Sequence, residues 1–351
     1  MATTQLTDQG RTSVLTSPNV RSKRLRWAVA GVGIAVFVWL MTFTSTGGSD
    51  PRIHNPEQPS PLPGNGMWGL SGQFWIYALH TATVIMCLGM VFFFLRNRRR
   101  TGVTHPAFAL FIGLSTIIAY DPIFNWAMYA VYNPELRHYP VTWEWAKISP
   151  SVEPLWPLGA YPFFFLTPGL ITFALFKRYV EPRAKAGSFV DRRPMWSLFL
   201  FSLVGCTVME VIGETLLLQM EIWTYYQYWG PAFHVGDSWL PLTEIVLASL
   251  TMSLLSVMLH RDDHGRSVAT RLSASVRPLR AMRFGEKATA VLILQAVFIA
   301  YIGFYAVVRL AGLDTNISGD YPYRTIKTYD PDGYVQEAGI PGPYYKGVWV
   351  P

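Results

Sequence analysis

Asp121, Glu210, Glu214 and Glu244 are carboxylates set in apolar stretches of chain. An isolated charge at such a place costs on the order of 2.5 kcal/mol or more. Glu210 and Glu214 stand four residues apart, which on a helix puts them on one face, about 6 Å apart along the axis. Two carboxylates that close in a poor dielectric do not both ionise readily, so one is expected to keep a proton. A site with one neutral acid and one charged base has the division of labour that general acid–base catalysis requires. These four residues are the candidate catalytic groups. Asp121 opens Asp121-Pro122-Ile123-Phe124-Asn125-Trp126, with Asn125 one turn on, and Pro122 is expected to kink the helix beside the acid because it lacks a backbone donor.

A second circle of candidates would bind substrate: His80, Asn125, Trp126, Glu153, Trp223 and Arg309. Each has a plainer alternative. A lone histidine on an apolar face also fits a packed interior, and Glu153 is near enough to a span end to be interfacial. Arg309 either snorkels to the interface or is the counter-ion of Asp121 or Glu210. Trp223 belongs to the run Trp223, Tyr225, Tyr226, Tyr228, Trp229, which reads mainly as an interfacial aromatic belt.

The elements that must position these groups follow from hydropathy. With 51% hydrophobic and only 15% charged residues in 351, the chain is too apolar to cover a water-facing surface. Apolar runs near the 20 residues that cross a hydrocarbon core occupy 27–44, 74–95, 107–131, 155–176, 195–218, 239–260 and 288–310. Unpaired backbone is prohibitively costly in lipid, so these runs are expected to be helices. The fold class is all-α, a polytopic bundle of about seven transmembrane spans.

Lys and Arg alternate between the two sides of that bundle. Roughly 22 lie in the N-terminal tail and the loops after spans two, four and six, against roughly 6 in the remaining connections and the C-terminal tail. By the positive-inside rule the N-terminus is inside and the C-terminus outside. Residues 1–26 then form a cytoplasmic basic tail, 27–310 the transmembrane domain and 311–351 an external tail. The first span reads as an uncleaved anchor, because Thr-Ser-Thr-Gly-Gly follows it without a small-x-small processing site. In this topology Asp121, Glu153, Glu210, Glu214, Glu244, His80 and Arg309 converge on the external half.

The formal charge of +7 sits in juxtamembrane loops, where insertion and anionic lipid explain it, and no nucleic-acid motif accompanies it. Cys87 and Cys206 both fall inside spans and read as packing residues. His260-Arg261-Asp262-Asp263-His264 could be drawn as a metal site but reads as a solvated turn after span six. There is no Gly-rich phosphate loop, haem-attachment motif or cysteine cluster, so neither a cofactor nor a metal is expected. The expected partners are membrane lipid and an apolar, polyketide- or lipid-like small molecule.

The order of motifs also resembles a family. Asp121-Pro-x-x-Asn-Trp126, Tyr132-Asn133, Glu153-Pro154, the acid pair four apart, an aromatic-rich loop, Leu240-Pro-Leu-Thr-Glu244 and Arg261-Asp-Asp-x-Gly-Arg266 together are similar to the AveC-like spirocyclases of actinobacterial membranes. The resemblance covers roughly residues 70–310. It departs after Asn133, where Pro-Glu-Leu-Arg-His-Tyr-Pro replaces a Gly-Ser-Trp-like stretch, and at Glu210, where aspartate is the commoner residue. It implies a multi-pass protein of the bacterial cytoplasmic membrane that forms spiroketals in polyketide biosynthesis, without a cofactor. A proton-coupled transporter and a non-catalytic lipid-binding protein are the competing readings; the lack of charge in the inner halves of spans five and six favours a one-sided pocket over a route through the membrane.

Overall fold

The computed structural model describes residues 31, 33, 35–36, 67–236, 238–281, 285–318, 328–339, 342 and 344–345. The chain divides into two compact units, Met1–Leu40 and Met41–Pro351. In the first, Gly31, Gly33, Ala35 and Val36 are helical. The remainder of the expected first span and the basic tail 1–26 lie outside the described residues.

The second unit is an all-α bundle. Among its described residues six helical segments are long and apolar enough to cross a membrane, and the chain is a membrane protein. α1 (Gly72–Thr101) starts at Ser71, whose hydroxyl accepts the Phe74 N–H at 3.2 Å, and stops at Gly102, whose φ of 73° only glycine adopts freely. The second crossing is broken. α2 (Ala107–Ser115) gives way to a 3-10 turn at Ile117–Tyr120, and α3 (Asp121–Met128) restarts the helix. The expected kink at Pro122 is thus a break one turn earlier. Proline would clash with the carbonyl four residues back in a continuous helix, but is tolerated in a first turn, where its missing N–H leaves nothing unpaired. α4 (Pro157–Leu175), α5 (Pro194–Gln219) and α6 (Leu242–Leu259) follow, then the short α7 (Val268–Ser275) and the last crossing, α8 (Glu286–Leu310).

α5 shows why these helices suit lipid. Val204, Val208 and Ile212 are exposed, whereas Ser202, Cys206, Glu210 and Glu214 are buried. The two stripes are offset by two residues, about 200° around a helix, so apolar atoms face outward and polar ones inward. α4 packs closely against both α5 and α6. A Cβ on Gly205 would lie 2.7 Å from Thr172 Cγ2, and one on Gly169 would lie 3.0 Å from the Met252 carbonyl.

Two expected boundaries change at one end of the bundle. The span expected to reach residue 131 ends at Met128, where Tyr129 turns the chain with φ 52°. The span expected from residue 239 begins at Leu242, because Ser238–Pro241 is extended. The freed segments pair as short antiparallel ribbons, β1 (Ala130–Tyr132) with β2 (Trp223–Tyr225), β3 (Gln227–Tyr228) with β6 (Asn316–Ile317), and β4 (Ala232–Val235) with β5 (Ser238–Pro241). Pairing satisfies backbone groups that would otherwise be buried unbonded. It also draws the aromatic run inward: Trp223, Tyr225 and Tyr226 are buried, so these three are interior residues and the belt reading of them is corrected. The loop after α6 is the solvated turn expected, closed by an exposed Asp262–Arg266 ion pair at 3.1 Å.

Candidate functional site

The buried carboxylates gather into two clusters. In the first, Asp121 begins α3, where unbonded N–H groups and the helix dipole favour negative charge. Asn125, one turn on, donates from Nδ2 to Glu153 Oε2 at 3.0 Å, and the Tyr161 hydroxyl of α4 donates to Asp121 Oδ1. Asp121 Oδ2, Glu153 Oε1 and Asn125 Oδ1 are buried and accept no hydrogen bond from an N–H or hydroxyl donor. Burial first, then the charge of Asp121 and a hydrogen bond to it, push the Glu153 carboxyl well above the usual carboxylate range. That favours a proton on Glu153.

The carboxylates of the second cluster come from two helices. Glu210 and Glu214 share the inward face of α5, and Glu244 stands in the first turn of α6. One oxygen of each lies within 4.8 Å of the others, which makes this trio, among the described residues, the group whose donors could meet on a single metal ion. Tyrosines surround it. Tyr225 of β2 donates to Glu214 Oε2 at 3.1 Å, Tyr305 of α8 to Glu244 Oε2 at 2.9 Å, and Tyr301 to Glu244 Oε1. Trp223 also bonds to Glu214. Both oxygens of Glu210 are buried without a partner.

Tyr132 of β1 lies in the field of both clusters. Burial, followed by the charges of Asp121, Glu153, Glu214 and Glu244, pushes its phenol well above its ordinary value, so it keeps its proton. Its ring lies 5.8 Å from that of Trp223, which stacks on Trp156 at 5.5 Å with 9° between planes. Stacked indoles beside carboxylates give a flat, electron-rich surface that suits an apolar ring system or a developing cation.

Several sequence candidates fall elsewhere. Arg309 is not bonded to Asp121 or Glu210. It pairs with Asp314 at 3.1 Å, with its guanidinium 4.7 Å from the Tyr129 ring, 5.6 Å from Trp126 and 5.9 Å from Tyr329. A buried arginine needs a partner and a polarisable lining; the tail residue Asp314, five positions on, provides the partner at less conformational cost than a distant helix. Trp126 lines that box. His80 is buried in α1 with Nδ1 2.8 Å from the Ile76 carbonyl of its own helix, and no hydrogen bond links it to either cluster. Tyr132, Tyr161, Tyr225, Tyr301 and Tyr305 are the residues that a reading based on charge passed over. Tyr301 and Tyr305 were open to discovery, because they repeat the four-residue spacing of Glu210 and Glu214, on the helix that donates to Glu244.

Among known proteins, residues 98–329 match the model of the family described as Spirocyclase AveC-like. No curated protein and no solved structure matches the chain.

Proposed function

Because the chain belongs to the AveC-like spirocyclase family, we propose that it closes spiroketals by cyclodehydration of an apolar dihydroxyketone within the membrane. The supporting observation is that two buried acid clusters both bear on the Tyr132 phenol, one of them containing a Glu153 carboxyl pushed well above the usual range. One substrate hydroxyl adds to the ketone to give a hemiketal. Glu153 then protonates the hemiketal hydroxyl, the C–O bond breaks and water leaves, and an oxocarbenium ion remains. The carboxylate of Asp121 offsets its positive charge in a medium that screens little. The second hydroxyl attacks the same carbon and loses its proton to Glu210, whose oxygens have no competing donor. One water is lost, no electrons are exchanged, and the two carboxyl groups act in the manner of a glycosidase pair.

The stacked Trp156 and Trp223 offer the apolar contact surface, so binding and proton transfer rest on different residues. The full-length protein purified in detergent, incubated with a dihydroxyketone polyketide, should yield a product lighter by one water. Glu153→Gln and Glu210→Gln should each lower turnover roughly 100-fold or more, the usual loss when a general acid or base is removed, while substrate still binds. Undiminished conversion in both variants would eliminate the mechanism. Gradient-dependent uptake into vesicles without conversion would instead show a transporter.

A further inference from the structure

Glu210, Glu214 and Glu244 raise a charge problem that the proposed reaction leaves open. Three carboxylates are buried together, and none of the ion pairs among the described residues includes them. The cation nearest in sequence logic, Arg309, is engaged with Asp314 and three aromatic rings. Protons could neutralise the group, but the geometry does not favour them. Both Glu244 oxygens accept hydrogen bonds from Tyr301 and Tyr305, and Glu214 Oε2 accepts one from Tyr225, the pattern of ionised carboxylates. Both oxygens of Glu210 are buried and accept no hydrogen bond from an N–H or hydroxyl donor. One oxygen of each lies within 4.8 Å of the others, close enough to share a central ion.

We propose that these three residues bind one hard divalent cation of the Mg2+, Mn2+ or Ca2+ class. Oxygen-to-metal distances are about 2.1 Å for Mg2+ and about 2.3–2.6 Å for Ca2+, so two ligands of one ion lie at most about 5 Å apart. One oxygen from each residue meets that limit, all three being within 4.8 Å of one another. The donors are all oxygen, with no imidazole or thiolate in the group, which selects this class over zinc or copper. Tyr225, Tyr301 and Tyr305 then serve as the outer shell that orients the ligands, as hydrogen-bonded partners do around metal centres.

For its chemistry the inference rests on the cyclase reading: the ion would polarise a ketone or hydroxyl oxygen of the substrate, while the second oxygen of Glu210 takes the proton. For binding it stands alone. Chelator-treated wild type in detergent should take up about one Mn2+ per chain, read as loss of the free-ion electron paramagnetic resonance signal, and Mg2+ or Ca2+ should compete. Glu210→Gln and Glu214→Gln should abolish saturable uptake, and Tyr305→Phe should weaken it roughly 10- to 100-fold, the effect of losing an outer-shell partner. Asp121→Asn, in the other cluster, should bind as wild type does. Size-exclusion profiles and helical circular dichroism establish that each variant is folded. Uptake that does not saturate, or that folded Glu210→Gln leaves unchanged, is an adventitious ion only and overturns the proposal. Conversion of substrate by wild type shown to be ion-free would overturn the ion's part in the chemistry, leaving the cyclase intact; saturable binding without any conversion would keep the site and remove the reaction.

Discussion

Glu153 occupies a loop by sequence and an interior by structure, and that contrast makes its proton measurable. Its carboxyl is pushed well above the usual range by burial and by Asp121. A carboxyl that binds its proton more tightly folded than unfolded adds stability at low pH, and this is lost as pH rises from the ordinary value of about 4.3 through the raised one. The melting temperature of wild type in detergent should therefore fall across that window, and Glu153→Gln, which has no proton to lose, should show a flatter profile. Parallel curves would mean that Glu153 is not held protonated. The acids were legible in the sequence because each stands out against apolar neighbours. Their division into two clusters was not, since helical spacing relates only residues on one helix, and Glu153 meets Asn125 across 28 positions. The same limit explains Arg309: sequence located the charge, but its partner Asp314 lies in a tail that reads as solvent-exposed.

At the scale of elements, spans were legible through hydropathy and their ends were not. Residues 129–131 and 239–241 are apolar enough to continue a helix, yet tertiary pairing of β1 with β2 and β4 with β5 takes them out of it. What holds α4, α5 and α6 close enough to bring Glu210 beside Glu244 is a seam of small and hydroxylated residues. Thr172 Oγ1 bonds to the Pro168 carbonyl at 2.8 Å and lies 3.1 Å from Ser256 Oγ, which fixes the methyl that a Cβ on Gly205 would strike. Gly205→Ala should cost about 1–3 kcal/mol through overpacking. The expected outcome is a lower melting temperature in detergent together with weaker activity, since the three helices must part. An unchanged melting temperature would show that the seam yields and does not set the spacing.

For the whole molecule, the alternating Lys and Arg count supports an N-terminus inside and the acid clusters in the half of the membrane opposite the basic loops. In a chain lacking Cys87 and Cys206, Arg98→Cys and Thr315→Cys should be labelled by an impermeant thiol reagent from opposite faces, and labelling of both from one face would reverse the assignment. The contact of Tyr301 and Tyr305 with Glu244 bears on how such a chain is made. Glu244 belongs to α6, whereas both of its tyrosine donors belong to α8, about 60 residues later. During synthesis α6 must enter the bilayer before the groups that bond its carboxylate exist outside the ribosome. Until the last helix arrives, the acid has to remain protonated, stay near the interface or be shielded by the insertion machinery. The final crossing is thus the step that commits the preceding helices to their places, and a nascent chain halted before it would be a substrate for membrane quality control.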